Sequence, residues 1–413
     1  MLGLSDASQV SDKMCVVVPA VQVILPLMDG SRDLDQIVQQ VGKGLTRPFV
    51  EQLVAQLDDA GMIEGPTVDA MIAKMKADFD ASPVLPPAST AAFIDALIND
   101  GIQTEKVSKD AGDEEKQAYG VKRLRETMDE FVRESLKNAE DPSLNELPKA
   151  IIAPHLDYGR GWMNYGAIYG RLRVVDRPDR VIILGTNHFG RSTGVCGCDK
   201  GYQTPLGTCE VDNDVVRGLR AKLGDTLFEH RFDHEREHSV ELQVPWIQHV
   251  FGPDAQGNFP KVFGALVHDP AAKNGESYDG KGVALNPFVN AMKEVLASLP
   301  GKTLIVSSAD LSHVGPAFGD QQPLAGEDEK ATAARNQVFQ YDNELINHVA
   351  NNRVQDLLGA MAWQQNPTRW CSTGNIVATL MITEPKNVKV LNYSASMDQQ
   401  GTTMVTSMAA ALS

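Results

Sequence analysis

The chain has 413 residues, 42% of them hydrophobic, which is enough to bury a large core and more than one compact domain usually needs. A formal net charge of −16 opposes a phosphate backbone or an anionic membrane over most of the surface, since both are held chiefly by Lys and Arg; neither nucleic acid nor membrane is expected as a partner. Five scattered cysteines do not make a secreted disulfide framework, the first residues lack a basic stretch followed by an apolar one, and apolar residues 16–28 are too few to span a bilayer, so a cytoplasmic, soluble protein of two domains is expected.

In chain order, residues 14–65 carry apolar positions at helical spacing on both sides of an Asp29-Gly30 turn. Asp33 is placed to cap a helix over 34–41 and Thr46 one over 48–60, and Gly61 stands where a helix end favours positive φ. Through Asp29, Gly30, Arg32 and Ile37 the segment resembles the PqqD-like group, which implies a small winged-helix-like α module over residues 1–66. Its second helix presents Glu51, Gln52, Gln56, Asp58 and Asp59 rather than basic residues, so peptide or protein docking is expected in place of DNA reading. Residues 67–119 are expected to be a linker, around 81–90, and a helical segment; an amphipathic helix over 116–140 leads into the main domain.

From residue 149 onward short β-branched runs alternate with helices, the rhythm of an α/β domain with a largely parallel central sheet flanked by helices. Three of the runs end in a polar cluster with a histidine: His155, His188 and His313. In open α/β sheets ligands bind beyond the carboxyl ends of the strands, so histidines just past separate strand ends can converge on one crevice, where imidazole can hold a metal or move a proton. One such histidine is most simply a hydrogen-bonded loop residue; three at equivalent positions favour a site.

The run from Asp233 to Glu241 opens a helix expected to continue to Gly252. It reads equally as a ligand or orienting pair, His238 and Glu241 on one face, and as a solvated first turn capped by Asp233. Cys196, Cys198 and Cys209 lack the spacing of a complete metal site and are expected to be small apolar strand residues.

The segments at 151–166 (IIAPHLDYGRGWMNYG), 181–190 (VIILGTNHFG), 202–207 (YQTPLG), 237–246 (EHSVELQVPW), 304–315 (LIVSSADLSHVG) and 368–376 (TRWCSTGNI) resemble, in this order, the successive motifs of the Memo family, also called AmmeMemoRadiSam system protein B. The likeness covers about residues 120–413 and implies the fold of the class III extradiol dioxygenases, which hold non-haem iron(II) on two histidines and a glutamate. Carried over by motif, it implies His155, His188 and Cys371 as metal ligands and His313 as acid/base, with Asp310 or Glu241 orienting it; Asp157, Asn187, His238 and Glu241 are expected beside these as substrate or supporting residues. Leu156-Asp157 replaces the family's Ala-Gly, adding a carboxylate near the first ligand; Phe189 replaces a histidine; and Cys371-Ser372-Thr373-Gly374 is longer than the common Cys-Gly.

Two imidazoles and a thiolate favour one transition metal ion, iron(II) or copper ahead of zinc, over magnesium or calcium. The resemblance implies a redox enzyme acting on a small or modified substrate, within a system that includes a radical SAM protein. A non-catalytic metal-binding scaffold that docks a peptide or partner protein, and a zinc-type hydrolase, are the alternatives; oxygen consumption after metal reconstitution separates them.

Overall fold

The computed structural model describes residues 1–322 and 324–413, which fall into two compact units, Met1–Ser82 with Phe189–Arg191 and Pro83–His188 with Ser192–Ser413. Among the described residues no helix is long and apolar enough to cross a membrane.

In the first unit β1 (Leu2–Ser5) pairs antiparallel with β2 (Met14–Val17), and α1 (Leu34–Val41), α2 (Arg47–Asp59) and α3 (Pro66–Ala81) follow. Asp33 starts α1 with a capping box: its carboxylate accepts from Gln36 N at 2.8 Å, and Gln36 Oε1 accepts from Asp33 N at 2.9 Å. Thr46 occupies the N-cap of α2 without a side-chain bond, and Gly61 takes φ +67° after the helix. The buried residues Val21, Ile24, Ile37, Val50, Leu53 and Leu57 form this unit's own core.

The second unit begins with β3 (Val84–Leu85), α4 (Ser89–Gln103) and α5 (Asp113–Leu136), so the stretch read as a linker around 81–90 contains a strand and a helix start. It continues with β4 (Ala150–Ala153), α6 (Tyr158–Arg171), β5 (Arg180–Thr186), β6 (Cys196–Gly197), β7 (Gly201–Thr204), β8 (Gly207–Cys209), α7 (Asn213–Leu223), α8 (His238–Glu241) and α9 (Gln243–Phe251). After these come β9 (Lys261–Val267), α10 (Leu285–Ser298), β10 (Thr303–Ser308), β11 (Asp310–Val314), α11 (Glu329–Ala350), α12 (Val354–Gln364), α13 (Thr373–Thr383), β12 (Val388–Met397) and β13 (Met404–Leu412).

The main sheet runs β11-β13-β4-β10-β5-β9-β6, with β12 also on β13. Its centre, β4-β10-β5-β9, is parallel, and antiparallel strands extend it on both sides. Alternate residues pack to opposite faces: Ala150, Ile152, Ile182, Leu184 and Ile305 join a core with Phe288, Met292, Ile376 and Leu380, while Ile151, Val181, Ile183, Leu304 and Val306 are buried as well. A sheet covered on both faces explains the unbroken apolar runs.

Two glycines let supporting elements close on the strand ends. A Cβ on Gly185 would stand 2.5 Å from Ser239 Oγ, so glycine admits α8 against β5, where Thr186 N donates to Ser239 Oγ at 3.0 Å. A Cβ on Gly374 would collide with His268 O, so only glycine lets the start of α13 lie beside the end of β9.

Candidate functional site

Beyond the carboxyl ends of the parallel strands lies a cleft of about 400 Å³, lined among others by Phe93, His155, Arg160, His188, His238 and His313. His155 follows β4 and is buried. Its Nδ1 lies 3.0 Å from Ser308 O, and since a carbonyl only accepts, the ring proton belongs on Nδ1 and the Nε2 lone pair faces Cys371 Sγ at 3.4 Å. Burial, with His188 and His238 beside it, pushes His155 well below the usual histidine range.

His188, two residues past β5, is held by Glu237, which accepts from its backbone N at 2.8 Å and meets its Nδ1 at 3.0 Å. Burial opposes a charge on this ring, but the hydrogen bonds with Cys371 and Glu237 outweigh it and raise His188 to about 10. Glu237 is likewise buried against its charge, yet His188 brings it down to about 2. Its Oε1 also accepts from Ser239 N at 2.8 Å, so Glu237, not Asp233, caps the helix that carries His238. The His238 ring stacks on His188 with centroids 4.9 Å apart, and its Nδ1 lies 3.4 Å from Glu237 Oε1.

The other half of the cleft comes from the antiparallel side. His313 lies within β11 rather than past a strand end; its Nδ1 donates to Leu311 O at 2.9 Å, and burial lowers it to about 4. Asp310 is also buried, which raises it to about 7. It accepts from His155 N at 3.1 Å and approaches His155 Nε2 at 3.5 Å, so it attends His155 and not His313 as the sequence suggested. Cys371, in the turn before α13, has Ser372 Oγ at 3.1 Å and Asp310 O at 3.7 Å.

Three expected members stand elsewhere or play another part. Glu241 turns away from the cleft: its carboxylate accepts from Ala88 N, Ser89 N and Thr90 N at 3.0, 3.1 and 2.8 Å and from Thr90 Oγ1 at 2.6 Å, fastening the start of α4. Asn187 donates to Asp233 Oδ2 at 2.9 Å, which also takes Ser192 N, bracing the loop after β5. Asp157 sits at the cleft rim, capping α6 through Arg160 N at 3.0 Å and pairing with the Arg160 guanidinium, so its charge is compensated. Sequence reasoning missed Glu237, although a carboxylate directly before His238 at a helix start was its signal. Ser89 and Phe93 carried none.

Could these residues hold a metal? One ligand atom each of His155, His188 and Cys371 lies within 4.8 Å of the others, and His188, Glu237 and His238 form a second such group. Bond lengths of about 2.05 Å to nitrogen and about 2.3 Å to sulfur in tetrahedral geometry place N and S about 3.5 Å apart, close to the 3.4 Å between His155 Nε2 and Cys371 Sγ. With Nδ1 of His155 on a carbonyl and Nδ1 of His188 on a carboxylate, both rings have the outer support usual for metal ligands. The first group fits. Cys196, Cys198 and Cys209 are buried and free, and among the described residues they belong to no such group.

Comparison with known proteins agrees with this architecture. The profile of the family described as Memo-like protein matches residues 118–412. The chain is 30% identical over 168 residues to a MEMO1 family protein of Caldivirga maquilingensis, covering 40% of this chain and 54% of that protein. It is 29% identical over 199 residues to one of Methanopyrus kandleri, 47% of this chain and 64% of the relative. With a MEMO1 family protein of Aquifex aeolicus it shares 23% identity over 359 residues, 86% of this chain and 80% of the relative. The chain thus spans less than two thirds of the first two relatives and most of the third, and it belongs to the Memo family.

Proposed function

We propose that the cleft is a mononuclear metal centre of a redox enzyme acting on a small or modified substrate, with His155, His188 and Cys371 as ligands and iron(II) or copper ahead of zinc as the ion. The reading rests on one observation: three donors of mixed nitrogen and sulfur type meet within 4.8 Å beyond the ends of a parallel sheet, two of them with their other ring nitrogen already fixed. When bound, such an ion supplies Lewis acidity and coordination positions open to substrate.

The protein's own groups divide the remaining work. His313 is neutral near pH 7, keeps its proton on Nδ1 through Leu311 O, and so offers Nε2 as a base in the cleft. Asp310, raised to about 7, can hold or give a proton beside His155 in the same pH range. Phe93, Leu156, Tyr158 and Phe318 contribute apolar wall to the cleft, and Arg160, paired with Asp157, stands at its rim.

Anaerobic reconstitution with iron(II), copper(I) and zinc, then counting bound metal in the wild type and in His155→Ala, tests the ligand set. Equal metal in both proteins contradicts it. Oxygen uptake on catechols by the iron- or copper-loaded protein tests the redox reading; tight metal binding with no turnover points to the scaffold.

A further inference from the structure

We infer that Asp342, on α11, is the positioning residue that sets the His313 and Cys371 half of the cleft, an inference that rests on those two residues being functional. Asp342 has no exposed surface, and each of its oxygens takes two donors. Oδ1 accepts from Ser312 Oγ at 2.5 Å and Trp370 Nε1 at 2.6 Å; Oδ2 accepts from Tyr393 OH and Thr406 Oγ1, both at 2.6 Å.

The identity of these donors gives the carboxylate its role. Ser312 immediately precedes His313, and Trp370 immediately precedes Cys371. Tyr393 and Thr406 lie on β12 and β13, so the same side chain ties both site segments to the antiparallel edge of the sheet. The two segments are also joined directly: His313 N donates to Thr368 O at 2.7 Å, Arg369 Nε donates to His313 O at 2.8 Å, and Ser312 Oγ meets Thr368 Oγ1 at 2.7 Å. Four donors converging on one buried side chain demand two oxygens with two lone pairs each. An asparagine supplies one such oxygen and turns an NH₂ toward donors, which leaves buried groups unsatisfied.

The test uses the full-length, metal-free protein and follows alkylation of Cys371 by iodoacetamide, located by mass spectrometry; the other four cysteines are buried. Asp342→Asn should raise the Cys371 rate, and weaken zinc binding, by about tenfold, the scale on which outer supporting residues act. Trp370→Phe, which removes one donor and keeps an aromatic ring, should raise the rate less and in the same direction. Asp212→Ala is the control: it removes the partner of Arg180 at the other end of β5 and the cap of α7, so it should lower Tm and leave Cys371 unchanged. A Cys371 rate that stays at the wild-type value in Asp342→Asn overturns the inference, and Trp370→Phe decides in the same way where Asp342→Asn does not fold. Because alkylation is read without metal, it separates failure of Asp342 as a positioning residue from failure of the metal reading.

Discussion

The two halves of the cleft are built differently. His155 and His188 hang from the ends of β4 and β5, on either side of β10, and each is fixed by one nearby acceptor, Ser308 O and the Glu237 carboxylate. His313 and Cys371 sit on an antiparallel strand and in a turn, and they are held through their neighbours Ser312 and Trp370 by one shared carboxylate, Asp342. In the first half each ring is gripped directly by its own acceptor from another part of the chain; in the second both residues are gripped indirectly, through one carboxylate that also takes donors from β12 and β13.

That contrast predicts graded consequences. The largest belongs to the ligands: His155→Ala and His188→Ala should each weaken binding of zinc or cobalt(II) by more than about 100-fold, exceeding what removal of an outer supporting residue costs. Isothermal titration of both variants checks it, and a loss in only one would split the histidine half. Cys371→Ser should abolish the sulfur-to-metal charge-transfer band of the cobalt(II) protein; persistence of that band would take the cysteine out of the ligand set.

Glu237→Gln should weaken metal binding by about 10- to 100-fold while leaving the ligands in place. It should also change the pH dependence of the metal-free protein. His188 is raised to about 10, so its contribution to stability is full below about pH 6.5 and is lost as pH climbs toward 10; Glu237, lowered to about 2, contributes above about pH 4.5 and is lost as pH falls. The variant should therefore show a smaller alkaline decline in Tm between pH 6.5 and 10 than the wild type, since the share of the shift due to Glu237 goes and that due to Cys371 remains. Metal taken up by His188 must also displace a proton, so binding should tighten with pH across that range and release protons into unbuffered solution. The smallest effect on the site belongs to Glu241→Ala, which removes four hydrogen bonds at the start of α4 and should cost about 2 kcal/mol of stability with unchanged metal affinity.

The central parallel strands and the placing of His155 and His188 were legible because an apolar run closed by a polar cluster has one physical meaning in a sheet covered on both faces; His313 reaches the cleft from within β11 instead. The capping of α1 by Asp33 was legible for a similar reason, since a capping box is written within four residues. Strands β12 and β13 were not, although every residue of β13 is buried: Ala409, Ala410 and Ala411 carry little pattern, and their pairing with β4 joins residues far apart in sequence. His238 and Glu241 seemed a pair because they share a helical face, but a helix of four residues has no lasting face, and the two side chains part, one to the cleft and one to α4. Glu237 and Asp342 act through bonds to groups elsewhere in the chain, which no local spacing encodes.

Anomalous diffraction from crystals of protein purified without chelators and loaded with one equivalent of zinc, with data on both sides of the metal edge, would locate the ion itself. One strong peak bounded by His155, His188 and Cys371 is the expected result. A peak at the His188, Glu237 and His238 group instead, or no peak in the cleft at full loading, would contradict the proposed metal centre.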